Sequence, residues 1–508
     1  MEFIRENMET EQLLSARPTQ TAVETEAALP GGLREETRVF FADAQAAVHG
    51  GELMGNRITA EGKVTFHVLY AQGDLSHISA LEASAEFSQP LPLKEENAQR
   101  TAARVTPRAE VQHVSAKAFN GRLLLRAIVQ LTAEAALPRT ISYIKDVAGE
   151  DGVQRAVQTL SLQRAVGEGQ AQNLLKEEFE LSSALQIKET LYATAQAQVE
   201  DILGGADGRA TVTGTLSLEA YHASALPGRP LLRTRHTMPF EQSVGLSGAL
   251  GDALAARSEV RDVAVLSQEG GEGRTLRAEV LLDTEITALA DAQQQTLRDV
   301  FTTAGNALET RAQHVLYRTG AVQEQTAESG KTALLLPEGS PRVQEALLAF
   351  IRPLPVKAER QGGKLAMEGI LEVTLIYQTE DNPVPVSLEQ EEPFRAVFAT
   401  QAEPEDALTL TAEQVEPSVL TGDRVELKYI LRLRAEGVRK AGADVIVEAE
   451  ETAAPPEKRG VALYFLQPGE SLWEVAKRYR VAPSALETLN PGLSEDAPAG
   501  TPVITYKR

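Results

Sequence analysis

The 508-residue chain contains no cysteine. Thiol nucleophiles, disulfide staples, iron-sulfur ligation and cysteine-type zinc sites are therefore excluded together. Aromatic residues are scarce as well, at 5%, so leucine, valine and alanine have to fill the interior of a chain that is 43% apolar. Long hydrophobic runs are missing. A membrane helix needs roughly 20 apolar residues, and the densest run, Leu123 to Leu131, is interrupted by Arg126 and Gln130. Met1 to Ala16 lacks the charged-then-apolar plan of a secretory signal, because Glu2, Arg5, Glu6, Glu9 and Glu11 are scattered through it. These features predict a chain retained in the cytosol. Positive charge is the last shortage: 50 Lys and Arg face 72 Asp and Glu, a net charge of -22. That balance repels nucleic-acid backbones and anionic membrane surfaces.

What is present is repetition. At roughly 150 residues per domain the length suggests three or four domains, and one segment type occurs three times: a Gly, a mostly alternating run, then a Tyr. The copies are Gly62 to Tyr70, Gly214 to Tyr221 and Gly369 to Tyr377, followed by Phe87, Phe240 and Phe394. Val64, Phe66, Val68 and Tyr70 share one face, as do Leu371, Val373, Leu375 and Tyr377, which is the period of a half-buried strand. The second copy is one residue shorter, which turns Tyr221 away from Leu216, Leu218 and Ala220 unless a bulge restores the phase. A second strand-like run follows each copy, at Arg122 to Leu131, Arg274 to Asp283 and Arg424 to Arg434. Upstream of each Gly lies a more helix-compatible stretch: Ala28 to Val48, Leu181 to Val199 and Leu334 to Val356. The Gly-to-Gly spacings of 152 and 155 exceed a unit of about a hundred residues, so residues 136–175 and 291–332 are expected to connect the copies.

Reactive constellations do not emerge. Gly330-Lys331-Thr332 ends like a phosphate loop, but Gln325 stands where its first glycine belongs, and the reading is a turn before an apolar strand. Gly167-Glu168-Gly169 and Gly270-Gly271-Glu272-Gly273 lack the strand-to-helix setting of a dinucleotide site and also read as turns. The seven histidines, His49, His67, His77, His113, His222, His236 and His314, make no metal-spaced cluster. The carboxylates read as a solubilising surface. No catalytic residue, metal or cofactor is assigned.

Composition changes at Glu448 to Arg459, where acidic residues, Pro455, Pro456 and a Lys-Arg pair read as a linker. The tail beyond it, residues 461–508, carries five basic and five acidic side chains, so the net charge of the chain resides upstream. Its apolar run Val461 to Leu466 precedes the turn Gln467-Pro468-Gly469-Glu470. Ser471-Leu472-Trp473-Glu474 is a capping box opening a helix with an apolar stripe at Leu472, Trp473, Ala476 and Tyr479. Pro483 suits the first turn of a second helix, which Asn490-Pro491-Gly492 stops, and Pro502 to Tyr506 forms a last strand.

These residues resemble the LysM family: Tyr464, then Gly469-Glu470-Ser471-Leu472-Trp473-Glu474-Val475-Ala476, Tyr479, Leu486, Asn490-Pro491 and Gly500. The match departs from the family at Ala482 and at Thr505-Tyr506. The resemblance implies a shallow groove lined by Gly469, Glu470, Ser471 and Leu472, with Leu489, Asn490, Pro491 and Gly492 opposite, able to take N-acetylglucosamine polymers or a protein. Trp473 reads as core, and Ser471 and Glu474 as partly or wholly engaged in capping. Three repeats followed by LysM resemble the SPOCS-repeat proteins of endospore-forming bacteria, in the layout of the SipL-like spore-coat morphogenetic family.

That resemblance implies a noncatalytic scaffold in the mother-cell cytosol, at the forespore surface. Its LysM module would dock a coat morphogenetic ATPase resembling SpoIVA, other coat proteins being further partners. The alternative is a peptidoglycan binder. The expected fold is multidomain: three β-rich (α+β) repeat domains followed by a small βααβ LysM domain. The expected bounds are 25–135, 175–290 and 333–438 for the repeats, 448–459 for the linker and 460–508 for LysM.

Overall fold

The computed structural model describes the chain except for residues 31–36, 74, 76, 95–103, 120–121, 150–151, 183–184, 226–228, 268–274, 381–383, 454–459, 495–496 and 508. Strand follows strand through three successive lobes. The first holds β1 (Glu2–Ser15), β2 (Thr19–Ala28), β3 (Thr37–Met54), β4 (Arg57–Gln72), β5 (Ile78–Pro92), β6 (Arg104–Phe119) and β7 (Arg122–Ala148). The second holds β8 (Val153–Glu180), β9 (Ile187–Gly204), β10 (Arg209–Ser224), β11 (Leu231–Gly245), the short β12 (Ser247–Gly248), β13 (Ala253–Ser267) and β14 (Thr275–Thr302). The third holds β15 (Ala307–Leu335), β16 (Val343–Gln361), β17 (Lys364–Thr379), β18 (Val386–Phe398), β19 (Ala407–Thr421) and β20 (Arg424–Thr452). The tail follows as β21 (Gly460–Phe465), α1 (Leu472–Tyr479), α2 (Pro483–Leu489) and β22 (Pro502–Lys507).

Each lobe is a sandwich. A three-stranded antiparallel sheet, ordered β3-β4-β5, β9-β10-β11 or β16-β17-β18, packs on a second sheet centred on the long strand β7, β14 or β20. Inward-facing Val64, Phe66, Leu123 and Leu125 of the first lobe are each no more than 1% exposed, and the other two lobes repeat this core from equivalent strands. The long strands then outrun their sandwiches. The second half of β7 pairs with β1, that of β14 with β8 and that of β20 with β15, giving three two-stranded ribbons. Tyr143, Leu160, Tyr317 and Val445 bring all three ribbons into one apolar cluster. A second joint lies where Phe41 stacks on Phe350 at 3.7 Å and Tyr221 packs between Tyr192 and Phe350. There Asp43 of the first lobe accepts hydrogen bonds from the Tyr192 hydroxyl of the second, at 2.6 Å, and from Arg352 of the third.

The repeated Gly and Phe have a common cause. Gly62 lies opposite Phe87, Gly214 opposite Phe240 and Gly369 opposite Phe394. The Phe ring covers the glycine, and a Cβ there would come within 3.0 Å of both the ring and a carbonyl oxygen of the preceding strand. That preceding strand is bulged beside the glycine in every lobe, at Val48/Gly50, opposite Thr213/Gly214 and at Pro355/Lys357.

Several expectations are corrected. The three α+β repeats with a βααβ LysM domain give way to an almost entirely β structure: among the described residues 81% lie in strands and 3% in helices, of which there are two. The helix-compatible stretches Ala28 to Val48, Leu181 to Val199 and Leu334 to Val356 run into β3, β9 and β16. Their alanines favour helix, but Ala44, Ala193, Ala197 and Ala349 are small inward residues of strands, and two or three register shifts per strand hide the alternation that marks one. Residues 136–175 and 291–332 are occupied largely by the extensions of β7, β8, β14 and β15. Glu448–Thr452 of the supposed linker belong to β20, and residues 454–459 lie outside the described residues.

No bulge restores the phase of Tyr221. It points to the opposite face of β10, where neighbouring lobes bury it in the aromatic joint. Gly330-Lys331-Thr332 sits within β15, with Tyr429 packed over Gly330, and Gly167 and Gly169 are close-packed strand residues of β8. These are strand positions, not turns. Residues 270–273 lie outside the described residues.

Candidate functional site

The tail starts as its local chemistry dictates. Gly469 takes φ 77° at the turn, and Ser471 caps α1: its hydroxyl accepts from the Glu474 N–H at 3.3 Å while the Glu474 carboxylate accepts from the Ser471 N–H at 2.8 Å. Glu470 points back to β21, accepting from the Tyr464 hydroxyl at 2.8 Å and the Gln467 N–H at 3.1 Å, with Arg478 at 2.8 Å. Burial raises the proton affinity of its carboxyl, but these partners prevail and hold it below the usual carboxylate range. Leu472 is buried in the tail core.

The opposite wall is engaged as well. Pro483 opens α2 without a side-chain cap from Ala482. At its end Asn490 donates to the carbonyls of Leu486 and Ile504, both at 2.8 Å, and accepts from the Ile504 N–H at 2.7 Å, binding α2 to β22. Pro491 and Gly492 form the following turn, with Gly492 at φ 90°, and Leu489 is 38% exposed. Among the described residues no hydrogen bond or ion pair joins 469–472 to 489–492. The polar side chains of both segments hold the tail together, which leaves backbone, Leu489 and Pro491 as the accessible chemistry of the expected groove.

The open surface lies elsewhere. β21 and β22 pair as Val461 with Tyr506, Leu463 with Ile504 and Phe465 with Pro502. All six point outward, and Val461, Leu463 and Phe465 are 73%, 58% and 52% exposed. Tyr464 and Val503, which alternate with them, pack inward. A sheet whose inner and outer faces are both apolar is the pattern of an interaction surface. Sequence periodicity missed it, because a continuous apolar run such as Val461 to Leu466 does not say which face is covered.

Trp473 and its neighbours attach the tail to the body. The indole packs edge-on against Phe301 of β14, with centroids 4.9 Å apart, and its Nε1 donates to Asp299 at 2.8 Å. Lys477 reaches the other oxygen of Asp299 at 2.6 Å. Arg480 ends α1 in the left-handed conformation, φ 52°, a position that favours glycine. Its buried guanidinium donates to the Thr302 carbonyl at 3.0 Å, the Thr302 hydroxyl at 2.9 Å and the Gly305 carbonyl at 2.7 Å. The tryptophan expected in the tail core is thus half-buried at a contact between tail and body. Lys477, Arg480, Asp299 and Phe301 carried no sequence signal, since the pairs lie more than 170 residues apart.

Trp473 is the chain's one tryptophan, so its fluorescence reports this contact. Arg480→Ala is expected to weaken docking by about 3 kcal/mol, the scale of losing several hydrogen bonds to a buried charge. Emission should shift to the red while far-ultraviolet circular dichroism keeps its strand signal. An unshifted spectrum would show that Arg480 does not hold the tail.

Among the described residues no group of three His, Asp or Glu is arranged to hold a metal, and no helix is long and apolar enough to cross a membrane. Comparison with protein-family models, curated proteins and solved structures finds no match.

Proposed function

We propose that the chain is a noncatalytic scaffold of endospore-coat assembly. In this reading the tail docks on a coat morphogenetic ATPase resembling SpoIVA, in the mother-cell cytosol at the forespore surface, and the body supplies length and further contacts. The resemblance of the repeats and the tail supplies the identity of the partner. The observation that carries the docking is the outward apolar face of β21 and β22. Glu470, Ser471 and Asn490 are engaged internally, so the presumed sugar groove has few free polar groups, whereas an apolar sheet face suits a protein surface.

The test is a pull-down with the purified ATPase, comparing the full chain with Leu463→Asp/Phe465→Asp. Both side chains point outward, so the variant should keep its circular dichroism and its Trp473 emission. Retention should fall at least about tenfold, the loss of an apolar interface centre. Failure of the unmodified chain to bind, or equal retention of the variant, would remove the reading. Saturable sedimentation with purified peptidoglycan, abolished by loop substitutions at Glu470 or Asn490, would replace it with N-acetylglucosamine polymer binding.

A further inference from the structure

The three lobes leave a cavity of about 690 Å³ between them, walled by β3 and β6 of the first, β8, β9, β13 and β14 of the second, and β15, β19 and β20 of the third. That volume lies in the range of small-molecule sites, about 300 to 1,000 Å³. Its lining is unlike the rest of the chain. Six arginines face it, two from each lobe: Arg104 and Arg108, Arg257 and Arg261, Arg432 and Arg434. Five carboxylates accompany them, Glu168, Glu259, Asp283, Glu285 and Glu436. The cavity wall is therefore slightly positive inside a chain of net charge -22.

The arginines are not equally engaged. Arg261 holds Asp283 with two N–H groups, at 2.8 and 3.0 Å, and the Val48 carbonyl with a third. Arg432 forks onto Glu413 at 2.6 and 2.9 Å. Arg257 binds Glu259 and lies 3.6 Å from Glu436. These three are structural. Among the described residues Arg108 makes one hydrogen bond, to Glu436 at 2.9 Å, and its buried Nε has no partner. Among the described residues Arg434 makes only a 3.3 Å bond to the Ala197 carbonyl and stands 3.7 Å from Glu259. Two partly exposed guanidiniums, one from the first lobe and one from the third, thus line one space with donors to spare.

We infer that this cavity is a binding site for a small multivalent oxyanion, held by Arg108 of the first lobe and Arg434 of the third. Planar guanidinium forks match carboxylate and phosphate oxygens. The two donors belong to different lobes, and a ligand with two anionic ends can engage one fork with each. Burial, with Asp283 and Glu259 adding to it against Arg257 and Arg261, raises the proton affinity of Glu285, one of the carboxyls on the wall. Binding would tie the first lobe to the third and stabilise their arrangement by mass action. This inference is independent of the tail's partner.

The experiment uses the full chain with inorganic pyrophosphate and with citrate, each against sodium chloride at equal ionic strength, read by calorimetric titration and thermal unfolding. Saturable binding of at least one, with a rise in melting temperature absent in chloride, is expected. Preference for one probe distinguishes phosphate from carboxylate chemistry. Arg434→Gln should weaken binding at least about tenfold, while Arg122→Gln, at an exposed ion pair with Glu26, should bind like the unmodified chain. If Arg434→Gln does not fold, Arg434→Lys, which keeps the charge without the fork, is judged by the same criterion. Absence of saturable binding by both probes, or unchanged affinity in the folded Arg434 variant, would overturn the inference.

Discussion

Gly214→Val is expected to destabilise the second lobe by about 3 kcal/mol or more, the upper range for overpacking a core. The Cβ would meet the Phe240 ring at 2.7 Å and intrude on the Gln198 carbonyl, so backbone or ring has to move. Neither has room: Phe240 is 4% exposed within the sandwich core, and Gln198 precedes the bulge that β9 makes against Gly214. The equivalent changes at Gly62 and Gly369 should act alike in their own lobes, because each faces a Phe from the same register position. Urea unfolding followed by hydrogen exchange at β10 and β11 measures the effect. A companion Phe240→Ala in the Gly214→Val background should recover part of the loss by vacating the ring's space, although Phe240→Ala alone costs about 3 to 5 kcal/mol. Stability unchanged in Gly214→Val would show that the close approach is not what selects glycine there.

Acidification below pH 6.5 should weaken the same lobe. His222 of β10 is 0% exposed, held by the Thr234 hydroxyl at 2.8 Å and the Thr190 hydroxyl at 3.1 Å. Burial first, and His236 second, lower its pKa from 6.5 to about 4. The folded chain keeps His222 neutral in that window while the unfolded chain takes up a proton. Its contribution is therefore complete above pH 6.5 and declines as pH falls towards 4. At about 1.4 kcal/mol per tenfold change in proton affinity, the loss reaches about 3 kcal/mol. His236 and His67, also lowered by burial, act in the same direction. Urea midpoints between pH 7 and 4.5 should fall for the unmodified chain and fall less steeply for His222→Gln. Identical slopes would show that His222 is not the group responsible.

Part of this fold could be read directly. The capping box at Ser471 and Glu474, the proline opening α2 and the three Gly-to-Tyr strands are written in spacing, because each depends on neighbours within a few residues or on a two-residue period. The all-β character of the body was harder to see. Ala-rich β3, β9 and β16 have bulges where a strict alternation would have announced strands, and alanine's helix preference is overridden by a facing sheet that accepts only small side chains. In the tail, Glu470 and Asn490 matched the groove of a resembling family, but their partners turned out to be the Tyr464 hydroxyl and the Ile504 backbone.

Chain order alone determined that this protein repeats itself three times, that it lacks thiol chemistry and that a capped helix opens its last module, since those follow from residue identity and local backbone preference. Tertiary structure alone decided that Tyr221 serves a joint between lobes, that Trp473 and Arg480 clasp the end of β14, and that six arginines converge on one cavity. The reason is distance along the chain. Side chains a hundred or more residues apart meet only after the sheets have packed, and no local pattern records which face of a strand its neighbours will cover.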